Sequence, residues 1–293
     1  MLQPDTTHNL KGILAKITGA TVHSVEQYPV GGGSINDTYR LVVNKTHSFF
    51  LKVNKAASFP GLFEKEKAGL EYIANQHRIA VPTVISCDID KDNQLLLLEW
   101  IPAGSRTGSF WKTFGEQLAG LHQCHNDQHG FVTGNYMGAL PQSNHFDPDW
   151  AHFFLHQRLL PQVKMATEKK LMPHPYADLF HQLGKKLGNI FNTEPPSLLH
   201  GDLWSGNFMC NDQSLPVLID PAVYYGHRSM DLAMTTLFGG FDQAFYESYH
   251  YHFPLPANHQ EQWEICNLYP LLIHLNLFGQ SYLSNIVSIL KSY

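Results

Sequence analysis

Between His200 and Asp220 the chain carries an aspartate, an asparagine five residues later and a second aspartate closing an apolar run. These are His200-Gly201-Asp202-Leu203-Trp204-Ser205-Gly206-Asn207 and Val217-Leu218-Ile219-Asp220. The set suits transfer of a phosphoryl group from ATP. Asp202 can accept or orient the proton of an attacking hydroxyl, and Asn207 and Asp220 can hold the Mg2+ ions that bridge nucleotide phosphates. This chemistry asks a protein for positioning and charge neutralisation, so a few oxygen ligands on a rigid loop suffice. A lone aspartate after a strand is ordinarily a helix cap or a turn residue. Here the spacing and the shared apolar surroundings argue for more.

Other residues must position a nucleotide against these oxygens. Lys52, in Phe50-Leu51-Lys52-Val53, is flanked by apolar residues on a strand. An ammonium facing inward there needs a partner, and nucleotide phosphates would supply one; the ordinary alternative is a lysine snorkelling at a sheet edge. Glu66 is the best carboxylate to face it, because Leu70 and Ile73 share its helical face. Glu64 is the second choice. Upstream, Gly31-Gly32-Gly33-Ser34 lies between two strands. Its bare backbone amides can approach phosphate oxygens, or it is simply a tight turn. Glu99-Trp100-Ile101 ends an apolar strand, where main-chain groups would meet the adenine edge or merely link two lobes. His200 reads as a loop support. Asp231 either anchors the Asp202 loop or is a plain charge at a helix start.

The elements that carry these residues fall into two textures. Up to residue 101 the pattern is strand-rich: a helix and short strand over 10–28, the alternating hairpin Thr38–Val43 and Ser48–Val53, a helix over Phe63–Gln76, an edge strand over Val81–Ile85 and a strand over Gln94–Ile101. Beyond Pro102-Ala103-Gly104 the spacing becomes helical. Helices are expected around Phe110–Leu121, over 147–165, through Tyr176–Ile190 and from about 230 onward, with Pro254, Pro256 and Pro270 as breaks. Two short strands are expected to carry the acidic motif. The reading is an α+β chain of two lobes. A nucleotide-binding lobe over 1–101 has a small antiparallel sheet and one key helix, and a mainly helical catalytic and substrate-binding lobe covers 102–293. A sheet lobe with a glycine loop ahead of a helical lobe with the acidic motif is the protein-kinase-like plan.

Composition narrows the classes further. The 293 residues carry a net charge of −5 and no basic block, which argues against nucleic-acid partners. Cys87, Cys124, Cys210 and Cys266 are widely spaced, with no C-x-x-C pair, so reduced thiols are expected. No secretory signal or apolar run long enough to span a bilayer is visible, which points to the cytoplasm and to no membrane partner. The 18 histidines include the cluster His122, His125 and His129 and the pair His152 and His156. Neither group has the spacing of a zinc site, and surface or packing roles are the expectation.

At this point the residues resemble a family. His200–Asn207 looks like the HGDLWSGN element of the fructosamine kinases (ketosamine 3-kinases), and Ile219-Asp220-Pro221-Ala222 is similar to their IDPA element. Aminoglycoside and choline kinases usually lack the Trp-Ser pair. Gly130-Phe131 with Asn135, Gly138 and Pro141-Gln142-Ser143-Asn144 resembles the family's segment between lobes, and Trp150–Gln162 its W-x-x-F-F-x-x-x-R-L helix. The resemblance implies an ATP- and Mg2+-dependent kinase for the 3-hydroxyl of ribulosamine, erythrulosamine or fructosamine adducts, free or on protein lysines. The unstable 3-phosphate would then leave the amine. It also implies Asp202 as base, Asn207 and Asp220 as metal ligands, Lys52 paired with Glu66, and Gly31–Ser34 over the phosphates. Trp204 would pack on the substrate or lie buried under the loop. A monomer is expected. A protein kinase is disfavoured, since 11 residues from Asp220 to Asp231 leave no room for a long activation loop. A kinase for another small alcohol (an aminoglycoside, choline or homoserine) would share every catalytic residue. A non-catalytic nucleotide-binding protein would usually have lost one.

Overall fold

The computed structural model describes residues 4–31 and 35–293. The chain begins with α1 (Pro4–Thr18), β1 (Val25–Pro29), β2 (Asp37–Val43), β3 (His47–Lys55), α2 (Leu62–Ala74), β4 (Val84–Asp90) and β5 (Asn93–Glu99). The five strands form one antiparallel sheet in the order β1-β2-β3-β5-β4. The β2–β3 hairpin turns through Asn44 and Lys45 at φ 50° and 62°, the left-handed conformation that matches the twist of the strands. Strand β4 is the expected edge strand but begins at Val84. Pro82, which cannot donate to a ladder, lies ahead of it.

Period-two alternation decides where Lys52 goes. Phe49, Leu51 and Val53 of β3 join Leu95 and Leu97 of β5 on one face, packed against Leu10 and Leu14 of α1. The opposite face presents Leu96 and Leu98 to Leu62, Phe63 and Leu70 of α2. Lys52 alternates with Leu51 and Val53 and therefore points to the α2 side. The sheet is covered on both faces, which is why β5 reads as an unbroken apolar run rather than an alternation. Helix α1, in the region where the sequence pattern predicts a helix ahead of the first strand, covers the second face.

The helical part comprises α3 (Phe110–His122), the small hairpin β6 (Asn135–Met137) and β7 (Leu140–Gln142), then α4 (Trp150–Phe153) running through a π-helical stretch, Phe154–Leu159, into α5 (Leu160–Glu168). Next come α6 (His174–Gly184) and α7 (Leu187–Ile190), and the short strands β8 (Ser197–Leu199), β9 (Phe208–Cys210), β10 (Pro216–Leu218) and β11 (Tyr224–Gly226). The chain finishes with α8 (Ser229–Leu237), α9 (Gln243–His252), α10 (His259–Cys266), α11 (Leu268–Phe278) and α12 (Leu283–Lys291). The acidic motif hangs on four short strands rather than two, paired as β8–β11 and β9–β10. The helix expected through Tyr176–Ile190 breaks after Gly184. Pro270 does not end a helix but sits in the first turn of α11, where its missing N–H is no loss.

Bulky aromatic side chains from α3, β9 and α9 fill the core of this part, with Phe110, Phe114 and Phe245 fully buried. Helices α3 and α9 approach so closely that a Cβ on Gly115 would run into the Phe245 carbonyl oxygen and lie 2.8 Å from the Tyr249 amide. Backbone cannot yield as a side chain can. Gly115→Ala is therefore expected to lower stability by about 1–3 kcal/mol. Gly12→Ala, in α1 with open space at its Cβ, is expected to raise it by about 1 kcal/mol. Denaturant midpoints of the two variants check the contrast.

Candidate active site

Lys52 is only 2% exposed, and its ammonium lies 2.6 Å from Glu66 Oε1 and 2.6 Å from Asp220 Oδ1. Burial alone would pull its pKa down. The Asp220 and Glu66 carboxylates outweigh that and hold it above the ordinary lysine range, so the charge persists. Glu66 reaches Lys52 because Phe63, Leu70 and Ile73 on the same stripe of α2 are buried, whereas Glu64 faces solvent. The choice between the two glutamates is decided for Glu66.

Asp220 sits between β10 and β11 with φ at 56°, an uncommon conformation for a residue with a side chain. Its carboxylate is 43% exposed. On the neighbouring loop, Asn207 uses its amide nitrogen twice, donating to the Asp202 carbonyl oxygen at 2.8 Å and to Asp202 Oδ2 at 3.0 Å. That leaves the Asn207 carbonyl oxygen and the second Asp220 oxygen as hard oxygen donors, the ligand type that suits Mg2+. Burial pushes the Asp202 carboxyl up to about 7, against the Asn207 amide that favours its ionised form. A carboxyl poised near neutrality suits a proton acceptor.

Behind these groups stands Asp231, in the first turn of α8 and 1% exposed. Its Oδ2 accepts from the His200 amide at 2.7 Å, and its Oδ1 accepts from the Gly201 amide at 2.8 Å. His122 Nε2 donates to Oδ2 at 3.1 Å, while His122 Nδ1 meets the Tyr249 hydroxyl at 2.8 Å. Burial works against the Asp231 charge, but hydrogen bonds from His122 and Gly201 hold its carboxyl below the usual range. His200 accepts the Asp202 amide at Nδ1 and donates from Nε2 to the Ile219 carbonyl at 2.9 Å. It thus ties the Asp202 loop to the strand that delivers Asp220, and burial lowers its pKa and favours this neutral form. Gly201, at φ 85°, lies against the Ala222 carbonyl, where a Cβ would collide.

A cavity of about 620 Å3 is lined by Lys52, Glu66, Asp202, Trp204, Asn207 and Asp220, together with Asn36, Tyr136, Phe238, His274 and Phe278. The Trp204 indole folds over Gly206 and meets Phe238 at 6.1 Å between centroids. It is half-buried and on the wall, neither free nor hidden under the loop. Gly31 and Glu99-Trp100-Ile101 do not line this cavity. The Glu99 carboxylate is engaged by Thr83, and Trp100 carries the Arg40 guanidinium 4.7 Å from its ring centroid. Gly32, Gly33 and Ser34 lie outside the described residues.

Several residues that support the site carry no role there in the sequence reading. His122 belonged to a histidine cluster assigned to packing, and only the fold brings it to Asp231. Asn135 donates to the Val223 carbonyl at 2.8 Å, and Gln142 donates to Asn135 Oδ1 at 2.7 Å and accepts from Tyr269 at 2.8 Å. These buried amides lock the β6–β7 hairpin to the chain just after Asp220. Asn54 holds the far end of the glycine loop through Asn36 Oδ1 at 2.7 Å. Polar residues that the fold buries are the signal that could have found them, since each needs a partner.

A buried lysine salt-bridged to a helix glutamate, an Asp–Asn loop and a second aspartate on the next turn define a nucleotide-dependent kinase of the protein-kinase-like fold. The fructosamine kinase family model matches residues 6–293. A probable ketoamine kinase from Lactiplantibacillus plantarum is 38% identical over 288 residues, covering 98% of this chain and 100% of that one. The chloroplastic protein-ribulosamine 3-kinase of Arabidopsis thaliana is 34% identical, covering 90% of this chain and 81% of its own length. The crystal structure of a protein assigned as a fructosamine-3-kinase from Haemophilus somnus 129PT superposes with a TM-score of 0.87 at 28% identity, covering 97% and 96% of the two chains. This chain belongs to the fructosamine kinase family.

Asp231→Asn tests the anchor. An asparagine offers one acceptor where two amides converge, so one loop amide is left facing a donor. The variant is expected to lose about 1–3 kcal/mol of stability and on the order of a hundredfold in kcat as the Asp202 loop shifts. Denaturation midpoints and steady-state kinetics check this; full kcat would show that the anchor does not matter.

Proposed function

We propose that this protein transfers the γ-phosphoryl group of ATP to the 3-hydroxyl of a ketosamine, the first step in removing a sugar from an amine. The observation that carries the reading is the single cavity shared by Lys52, Glu66, Asp202, Asn207 and Asp220, in a chain of the fructosamine kinase family. Asp202 is the base: its carboxylate takes the hydroxyl proton as the oxygen–phosphorus bond forms and the β–γ bridging P–O bond breaks. Asn207 and Asp220 would hold Mg2+, which would supply charge neutralisation on the phosphate oxygens. Lys52 contacts the phosphates from the sheet side, oriented by Glu66.

Residues 1–101 form the nucleotide-binding lobe in this reading, with Gly31–Ser34 over the phosphates and Glu99–Ile101 at the adenine edge. Residues 102–293 form the catalytic and substrate-binding lobe, with Trp204 on the sugar. The relatives' names support glycated substrates, free or on protein lysines. Among the described residues no helix is long and apolar enough to cross a membrane. We assign the protein to the cytoplasm, as a monomer with no nucleic-acid partner.

ADP release with magnesium and a panel of ribulosamine, erythrulosamine, fructosamine, an aminoglycoside and choline tests the reading. Turnover of a ketosamine is expected; turnover of another alcohol alone would keep the kinase and remove the substrate class. Asp202→Asn is expected to lower kcat at least about a thousandfold while nucleotide binding by calorimetry persists. Lys52→Met is expected to weaken both, since it also leaves Glu66 and Asp220 without their shared cation.

A further inference from the structure

The charged groups of the cavity are unevenly placed. Its acids are Asp202, Glu66 and Asp220, and its cations are Lys52 and Lys65. Lys52 is committed to Glu66 and Asp220, and Lys65 stands 4.6 Å from the Tyr136 ring centroid, beside the β6–β7 hairpin. Another stretch of wall carries no charge at all. It is built from Phe238, which caps the C-terminus of α8, and from His274 and Phe278 on the last turns of α11. The three rings form one cluster, with His274 4.9 Å from Phe238 and 5.4 Å from Phe278 between centroids.

Three features of this wall suit a cation. Phe238 and Phe278 border the cavity and are 42% and 57% exposed, so part of each ring is accessible to a ligand, and aromatic rings attract ammonium groups. Both helices end at the wall, and helix C-termini carry partial negative charge. His274 Nδ1 lies 2.7 Å from the Pro270 carbonyl, which can only accept, so Nδ1 carries the proton and Nε2 presents a lone pair. Burial lowers the His274 pKa and keeps a competing positive charge off the ring.

A ketosamine meets an anionic co-substrate at its hydroxyl and carries, at the carbon next to its carbonyl, a secondary amine that is protonated at neutral pH. Resting on the ketosamine reading above, we propose that Phe238, Phe278 and His274 Nε2 form the site for that protonated amine and so select amine-linked over neutral sugars. The phosphates then lie toward Lys52, and the nucleotide's negative charge and the ketosamine's ammonium sit at separate parts of the cavity. The residues that make the site come from the ends of α8 and α11, outside the acidic loops.

The test compares two substrates that both keep the 3-hydroxyl: the ribulose adduct of butylamine and the same sugar with the amine nitrogen replaced by an ether oxygen. The wild type is expected to favour the amine about tenfold or more in kcat/KM. Phe238→Leu and Phe278→Leu are each expected to shrink that ratio about three- to tenfold, whereas Phe278→Tyr, which keeps the aromatic face, preserves it. Because Phe278 is largely exposed, its variants do not threaten folding, and the ratio is independent of any uniform loss of activity. Equal kcat/KM for amine and ether in the wild type, or an unchanged ratio in the leucine variants, overturns the proposal while leaving the ketosamine reading intact. Phosphorylation of neither compound overturns that reading for ribulosamines and the amine site with it.

Discussion

The active site depends on one buried cation. Lys52 sits on the sheet, Glu66 on α2 and Asp220 on the loop after β10, and the two carboxylates meet the same ammonium at 2.6 Å. An ammonium removed from water is unfavourable unless fully paired. The fold therefore satisfies it only when the sheet, the helix and the acidic loop are correctly assembled. The same geometry leaves Asp220 with one oxygen committed and its carboxylate partly open. A nucleotide would bring phosphates to the lysine and metal to the aspartate, replacing a contact within the protein with two contacts to ligand.

Asp231 does for the Asp202 loop what Lys52 does for the cleft. A buried carboxylate receives two consecutive backbone amides and a histidine, so the loop conformation is set by charge-assisted hydrogen bonds rather than by packing. The β6–β7 hairpin works on the other acidic loop through Asn135 and Gln142. Arg158 belongs to this buried polar layer. It is fully buried, donates to the Ser143 carbonyl and to Asn144 Oδ1, and lies 4.0 Å from the Tyr224 ring centroid. The π-helical stretch that contains it widens the helix at the point where the guanidinium turns into the core.

Much of this was legible in the sequence, and the limits have physical causes. Alternation over β2 and β3 revealed the hairpin and the inward face of Lys52, because a period-two pattern is local. The choice of Glu66 over Glu64 followed from helical phase. Strand β4 was misjudged by three residues, since Val81 and Pro82 have strand-like neighbours but Pro82 cannot join a ladder. Pro270 was read as a break because a first-turn proline and a terminating proline look alike in sequence. The partnership of His122 with Asp231 joins residues 109 apart, and the clustering of Phe238 with His274 depends on how α8 and α11 end. Neither leaves a trace in local spacing. The fructosamine-kinase motifs cover the acidic loops well and the stretch from Glu261 to the end hardly at all, and His274 and Phe278 of the cavity wall lie in that stretch.

The central claim is that phosphate is transferred to one particular oxygen of an amine-linked sugar, with Asp202 taking the proton. Phosphorus and carbon NMR of the product formed from a ribulosamine and magnesium-ATP tests it directly. Phosphorus coupling is expected at the third sugar carbon, followed by appearance of the free amine, with no such signal from Asp202→Asn protein. Phosphate on a different oxygen, or free phosphate from ATP with the ribulosamine unchanged, would contradict it.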